Sequence, residues 1–264
     1  MTGDPGSSAR VRRRSLLAGA GAACLLALAE WEPGGSRPEG ARAKHLERVD
    51  PHAVTWVQTS DPVVALTFDD GPDPAYTPDV LAILDEFGVP ATFFMIGRAA
   101  TAHPRLVAQV RRAGHAIGNH TADHLWLDGR GGDEVAAQIR GGDTALGALG
   151  VPTPSLFRPP RGLTSPMVAA QTTALGKRTC FWGTSIEGDL PHHSPEVTAA
   201  LNAARLRPGS IILGHDGGHL DGPNPQRIDR SRTVRALPDL IRLTRLGGFE
   251  FVTLPDLLSR GIAH

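Results

Sequence analysis

The feature that most constrains the fold is an alternation that begins at Val63, where short apolar runs rich in β-branched residues alternate with longer segments of helical period. Such an alternation predicts βα units around a parallel sheet. The predicted strands are Val63–Phe68, Ala91–Ile96, Ala116–Asn119, Ser155–Arg158, Thr179–Trp182, Ser210–Gly214 and Phe249–Thr253. We therefore expect an α/β fold, a distorted and incomplete (β/α) barrel whose functional residues follow the carboxyl ends of the strands.

The first helix has recognisable ends in the sequence. Pro78 suits a first helical position, Thr77 is a candidate N-cap, and Gly88 is a candidate terminator. This helix is predicted to follow the first strand of the barrel.

The N-terminus predicts an export signal. Three arginines at 12–14 precede an apolar run at 15–29, which ends in the small-x-small pattern Ala27-Leu28-Ala29 and resembles a twin-arginine signal. The run is shorter than the ~20 residues that cross a bilayer, so cleavage is favoured over an uncleaved anchor. We expect a signal at 1–29, a flexible linker at 30–52 and a catalytic domain at 53–264, exported to the cell wall or medium, with no membrane span in the mature chain.

Charge and cysteine content exclude several kinds of partner and site. Lys plus Arg and Asp plus Glu each number 27, so no overall field attracts nucleic acid. Cys24 lies in the predicted signal and Cys180 far from it, so we expect no disulfide framework and a buried, apolar role for Cys180. A monomer is expected.

Paired acids end the first predicted strand. Asp69 and Asp70 precede Gly71-Pro72, which forces a turn. Side chains of successive strand residues point in opposite directions, so one carboxylate can bind a metal while the other accepts a proton from water. An Asx-type turn without catalysis is the alternative interpretation.

Two histidines follow the strand that ends at Asn119. His120 and His124 are four residues apart and can face one metal if they lie on a helical turn. With one carboxylate they would make a three-ligand catalytic set. Asp123, between them, is expected to cap the local backbone, and a pair of surface histidines is the alternative interpretation.

Two further strand ends carry catalytic residue types. Arg158 precedes Pro159-Pro160-Arg161-Gly162 and could stabilise the carboxylate form of Asp69, while the stiff turn could offer an N–H to an oxyanion. His215 ends another apolar strand, where a histidine can protonate a leaving group. Each motif alone has a structural interpretation, but their convergence on strand ends favours catalysis.

In chain order, TFDDGP, HTADH, FRPPRG and LGH resemble the motifs of the polysaccharide deacetylases of NodB-homology type, carbohydrate esterase family four, over about Pro62–Leu258. The resemblance implies a hydrolase that removes acetyl groups from a cell-wall or extracellular polysaccharide, such as peptidoglycan, a chitin-like glycan or xylan. It implies a divalent metal, most commonly Zn²⁺, held by Asp70, His120 and His124.

The same resemblance implies catalytic roles. Asp69 would be the general base, Arg158 its tether and His215 the general acid, while Arg161, which stands where the family has tyrosine, would offer its backbone N–H to the oxyanion.

The chain departs from the family again at its fourth motif. Asp189 is the candidate acid behind His215, with Glu187 as the alternative, and Leu190 replaces a tryptophan that lines the sugar groove in that family. These departures leave open a second hypothesis, a secreted glycan-binding protein that keeps the barrel and the metal but not turnover.

Overall fold

A curled parallel sheet forms the centre of the computed structural model, which describes residues 49–220 and 226–264. The strands are β1 (Val57–Gln58), β2 (Val63–Asp69), β3 (Thr92–Met95), β4 (Ala116–Asn119), β5 (Leu156–Phe157), β6 (Arg178–Thr179), β7 (Thr184–Ser185), β8 (Ile211–His215), β9 (His219–Leu220), β10 (Gln226–Arg227), β11 (Glu250–Val252) and β12 (Ile262–Ala263). Eight of them form one sheet in the order β6-β5-β4-β3-β2-β8-β7, with β11 also paired to β2.

Every pairing in this sheet is parallel. Within the described residues the edge strands β6 and β7 do not pair with each other, so the barrel is open. The predicted incomplete (β/α) barrel is confirmed. Val54 forms a parallel bridge with Cys180 after the edge strand β6, and Trp56 an antiparallel bridge with Ser210 before β8, the neighbour of the other edge strand β7.

Helices lie between the strands, as the alternation predicts. They are α1 (Thr77–Phe87), α2 (Gly97–Ala102), α3 (Pro104–Arg112), α4 (Gly132–Ala148), α5 (Pro166–Ala174), α6 (Ile186–Asp189), α7 (Pro195–Ala204), α8 (Ser231–Leu246) and α9 (Leu254–Ser259). A 3₁₀ helix covers Pro160–Gly162. Among the described residues no helix is both long and apolar enough to span a membrane.

The central strand β2 is buried along its whole length. Val64, Leu66 and Phe68 belong to the apolar cluster that contains residues of α1 and α8, whereas Val63 and Ala65 belong to a second cluster. Because strand side chains alternate between faces, Asp69 lies on the second face, the one that Arg158 also reaches.

The start of α1 differs from the prediction. Gly88 ends the helix in a left-handed conformation as expected, but Thr77 is the first helical residue and Tyr76 occupies the N-cap position. The Thr77 hydroxyl instead accepts a hydrogen bond from the Asp73 amide and donates one to Asp216. Thr77 thus connects the turn after β2 to the residue after β8.

The predicted strand Thr179–Trp182 also differs from the structure. The observed strand, β6, covers only Arg178–Thr179. A further strand that the sequence did not predict, β7, begins two residues after Trp182. Cys180 is buried and free, and burial raises the pKa of its thiol to about 12. The predicted apolar role of Cys180 agrees with this environment.

Candidate active site

The turn after β2 delivers both acids to one place. Asp69 ends the strand and Asp70 follows with φ 73°, a left-handed conformation that interrupts the alternation of side chains. A Cβ on Gly71 would lie 2.3 Å from a carboxylate oxygen of Asp216, so only glycine fits there. The two neighbouring carboxylates consequently approach the same imidazole, that of His120.

Asp70, His120 and His124 form a buried group whose ligand atoms all lie within 4.8 Å of one another. Asp70 Oδ1 is 3.4 Å from His120 Nε2 and 3.1 Å from His124 Nε2. Ligands at ~2.0 Å from one tetrahedral ion are about 3.3 Å apart, so this donor set fits a divalent metal such as Zn²⁺.

The ionisation of this group also suits a metal. Burial lowers the pKa of His124 and favours the neutral imidazole that metals require. Burial by itself raises the pKa of Asp70, but contacts with His120 and His124 outweigh it and hold that pKa well below its usual value.

The backbone of Arg158 fixes the tautomer of His120. His120 Nδ1 lies 2.7 Å from the Arg158 carbonyl oxygen, which can only accept. Nδ1 therefore carries the proton, and Nε2 presents its lone pair to Asp70 and the metal position.

The two histidines face one position although they do not lie on a helical turn, the condition that the sequence analysis set for it. The segment is an irregular loop in which Thr121 and His124 have φ of 72° and 60°. The Thr121 hydroxyl accepts a hydrogen bond from the His124 amide. Asp123 is not part of the metal-ligand group, but its carboxylate accepts a hydrogen bond from the Gln138 side chain, which is not the local backbone cap that the sequence predicted.

The side chain of Arg158 holds Asp69. Its Nη1 donates to Asp69 Oδ1 at 2.7 Å, while Nε and Nη2 donate to the carbonyls of Cys180 and Phe181. The guanidinium is buried and lies 4.1 Å from the centre of the Phe94 ring. Asp69 Oδ2 remains turned toward His120 Nε2, at 3.9 Å.

His215 approaches from the end of β8. Its Nε2 lies 3.9 Å from Asp70 Oδ2, and its Nδ1 lies 3.0 Å from Glu187 Oε2. Burial opposes the charged imidazole, but the Glu187 carboxylate and Asp70 outweigh it and raise the pKa of His215. The charged form of His215 is therefore more favoured than that of a free imidazole.

Known proteins with the same features identify the family. The polysaccharide deacetylase model matches residues 57–180. A peptidoglycan-N-acetylglucosamine deacetylase of Bacillus cereus is 37% identical over 208 residues, which are 78% of this chain and 92% of the relative. The chain belongs to the polysaccharide deacetylase family. It is thus a polysaccharide deacetylase, and the resemblance inferred from the four motifs is confirmed.

Two more proteins agree with this assignment. A chitooligosaccharide deacetylase of Sinorhizobium fredii is 37% identical over 203 residues, 75% of this chain and 93% of the relative. The crystal structure of a peptidoglycan N-acetylglucosamine deacetylase superposes with a TM-score of 0.71 at 30% identity, covering 84% of this chain and 99% of that one. The distorted barrel of the polysaccharide deacetylase type is confirmed.

The acid behind His215 in the deacetylase comes from Glu187, the alternative named in the sequence analysis. Thr233 donates to Glu187 Oε1 at 2.7 Å. The side chain of Asp189 lies outside the described residues, so its predicted role stays a prediction. Leu190 is buried in the apolar cluster of α1 and α8.

Arg230 is a site residue that the sequence analysis missed. It precedes α8, and its Nη2 donates to Asp70 Oδ2 at 3.1 Å while its Nε donates to the Gly217 carbonyl. Asp70 therefore uses Oδ1 for His120 and His124, and Oδ2 for Arg230. A lone arginine before an amphipathic helix carries no local pattern that would have indicated this contact.

Asp216, next to His215, is the other residue that was missed. It is fully buried, its amide donates to the Asp69 carbonyl, and the Thr77 hydroxyl donates to its Oδ2 at 2.6 Å. Burial raises the pKa of this carboxyl to about 7. Through these contacts Asp216 connects the end of β8 to the turn after β2.

Proposed function

We propose that this deacetylase is an exported, Zn²⁺-dependent enzyme that hydrolyses the N-acetyl groups of amino sugars in a cell-wall glycan. One observation carries the proposal: His120 Nε2 lies 3.4 Å from Asp70 Oδ1 and 3.9 Å from Asp69 Oδ2. A metal-ligand set therefore lies beside a second carboxylate that is tethered but not a ligand. The relatives that act on peptidoglycan and chitooligosaccharides support the choice of N-acetylated amino sugars.

Asp70, His120 and His124 would hold the metal. A bound Zn²⁺ would supply Lewis-acid polarisation of the acetyl carbonyl and of the attacking water. The histidines offer neutral nitrogens and Asp70 offers an ionised oxygen, the mixture that Zn²⁺ prefers.

Asp69 would serve as the general base. Arg158 engages Oδ1, so Oδ2 is the oxygen available to accept a proton from water. Because Arg158 also fixes the His120 tautomer through its carbonyl, the same residue aligns the base with the metal position. The backbone N–H of Arg161 is proposed to face the developing oxyanion, an interaction worth ~3 kcal/mol.

His215 would be the general acid. Its Nε2 faces Asp70 and its Nδ1 faces Glu187, so a proton on Nε2 is directed into the site and can pass to the departing amine. An amine leaves poorly without a proton, whereas a phenolate leaves readily. His215→Ala should therefore slow hydrolysis of an acetylated chito-oligosaccharide much more than hydrolysis of an aryl acetate.

Turnover of both substrates by wild type and His215→Ala tests this role. Equal losses on the two substrates would remove His215 from proton transfer. The glycan-binding alternative predicts that zinc-loaded wild type binds the oligosaccharide and releases no acetate, so an acetate assay on the same samples decides between enzyme and binding protein.

Export is proposed from residues 1–29, which lie outside the described residues, as does the predicted linker as far as residue 48. The cell-wall relatives support this destination. Intact-mass analysis should find mature protein that begins near residue 30 outside the cells. Full-length protein in the membrane fraction would instead indicate an uncleaved anchor.

A further inference from the structure

An exposed aromatic side chain and a cation form a platform beside the proposed metal position. The Arg161 guanidinium carbon lies 4.6 Å from the centre of the Trp126 ring, and Trp126 exposes 52% of its surface. Trp126 follows His124 by two residues, and Arg161 follows Arg158 by three. Both side chains are thus attached to segments that also supply the site.

The backbone next to Trp126 is anchored. Leu127 is buried in a cluster with Val135, Ile139, Phe157 and Val168. Trp126 lies beside this anchor, and its carbonyl accepts a hydrogen bond from Arg130. An aromatic ring of this size is costly to expose and, held in place on a loop, offers a face to a ligand.

The backbone at Arg161 is equally constrained. Arg161 adopts φ 60° within the 3₁₀ turn, which is closed by hydrogen bonds from Gly162 to Pro159 and from Leu163 to Pro160. The two prolines restrict the preceding backbone. The side chain therefore starts from a fixed point beside Trp126.

The charge of Arg161 is uncompensated within the described part of the chain. No carboxylate there forms an ion pair or hydrogen bond with its guanidinium, whereas Arg130 on the neighbouring loop pairs with Glu134. Because Arg161 contacts Trp126, two residues after His124, this positive charge lies against the segment that also supplies a proposed metal ligand.

We infer that Trp126 and Arg161 form a subsite for a sugar that carries a free carboxylate, next to the N-acetylated sugar in the site. This inference rests on the proposed function and specifies its substrate. Stacking on Trp126 occupies the face of the guanidinium and leaves its in-plane N–H groups free for a bidentate carboxylate. The exposed remainder of the indole can contact the apolar face of a sugar ring.

The occupant to which we commit is a lactyl-ether carboxylate on the neighbouring amino sugar of a peptidoglycan-type glycan. Such a carboxylate is charged only when no peptide is attached to it as an amide. The deacetylase is therefore expected to prefer peptide-free strands to peptide-bearing strands and to uncharged N-acetylglucosamine oligomers.

Three oligosaccharides of equal length test the subsite: the alternating glycan as its free acid, the same glycan with every carboxyl amidated, and an N-acetylglucosamine oligomer. The ratio of kcat/KM for the free acid to that for the amide is measured with zinc-loaded protein. Arg161→Gln should lower this ratio about fivefold, the size of one partly exposed charge pair. Arg161→Lys should restore part of it, and Trp126→Ala should lower the affinity for all three oligosaccharides.

Arg242→Gln is the matched control, because Arg242 also stacks on an aromatic ring, Phe87, but lies on α8. It should leave the ratio at the wild-type value. A ratio that is unchanged in Arg161→Gln would overturn the inference. A preference for an acetylated xylan bearing uronic acid over the alternating free acid would overturn the choice of occupant.

Binding measured by calorimetry separates this inference from the proposed function. If wild type releases acetate from none of the oligosaccharides, the proposed function fails. The subsite is still supported if the free acid binds more tightly than the amide and Arg161→Gln removes the difference, and it is overturned if the two bind equally.

Discussion

Glu187 Oε2 lies 3.0 Å from His215 Nδ1, and the Thr233 hydroxyl donates to the other oxygen of the same carboxylate. Burial raises the pKa of Glu187, but the charge of His215 outweighs it and the net pKa is lowered. The two groups thus stabilise each other's charged forms. This pair sets the pH range in which His215 holds the proton it is proposed to deliver.

Glu187→Gln should move the alkaline limb of the pH profile to lower pH. A general acid acts while protonated, so kcat falls as the pH rises through its pKa. Removing the carboxylate that raises the pKa of His215 lowers that pKa, and the fall begins earlier. The pH dependence of kcat on an N-acetylated oligosaccharide measures the shift.

Two further variants make this test specific. Glu196→Gln, on the exposed first turn of α7, should leave the limb in place. Asp189→Asn discriminates between the two acids of the predicted fourth motif. A limb that moves in Asp189→Asn but not in Glu187→Gln would give the supporting role to Asp189.

The sequence predicted the chemistry of the site better than its geometry. Asp69, Asp70 and His215 follow strands, and parallel strands bring their carboxyl ends to one edge, so their convergence could be predicted. The left-handed backbone of Thr121 and His124 could not, because β-branched threonine and histidine rarely signal it. The two histidines meet at one position, as the spacing allowed, but through an irregular loop and not through a helical turn.

His120→Ala should abolish tight zinc binding, whereas Asp69→Asn should retain it and lose most turnover. His120 supplies one of three ligand atoms, but Asp69 Oδ1 is engaged by Arg158 and is not part of the ligand group. Metal analysis of the purified variants, with acetate release measured alongside, checks both halves. One tightly bound zinc per chain in His120→Ala, or equal metal loss in Asp69→Asn and Asp70→Asn, would contradict the assignment.

Arg230→Gln should weaken zinc binding by about 10- to 100-fold, as is typical when a group that orients a ligand is lost. Its Nη2 holds Asp70 Oδ2 and so directs Oδ1 to the metal position. Competition with a fluorescent chelator measures the affinity. Arg232→Gln, which loses only an exposed contact with the His193 carbonyl, is the control. Equal zinc affinities in the two variants would show that Arg230 does not orient the ligand.

Contacts such as those of Arg230 and Glu187 mark the limit of sequence reasoning here. Arg230 lies 160 positions from Asp70 along the chain, and no motif connects them. Glu187 and Asp189 are both acids after β7, and the choice between them depends on how a helix of four residues turns. Strand order and helix placement fix these contacts, so they become visible only in three dimensions.

Asp216→Asn should remove a pH dependence of stability. Burial raises the pKa of Asp216 to about 7, above its usual value, so the folded state binds this proton more tightly than the unfolded state. The stability that this tighter proton binding contributes is fully present below the unfolded-state pKa. It is lost as the pH rises from there through the folded-state pKa of about 7, by up to about 1.4 kcal/mol per pH unit. Asparagine resembles the neutral acid and carries no such dependence.

Urea unfolding at about pH 5 and about pH 8, with a chelator present so that metal binding does not contribute, measures the effect. Between these conditions the free energy of unfolding should fall less in Asp216→Asn than in wild type. Asp239→Asn, at an exposed ion pair on α8, should follow wild type because it changes the same residue type outside the core. If Asp216→Asn instead loses as much stability as wild type over this range, then Asp216 is ionised in the folded protein even at about pH 5. The group that contacts the turn after β2 would then be a buried carboxylate.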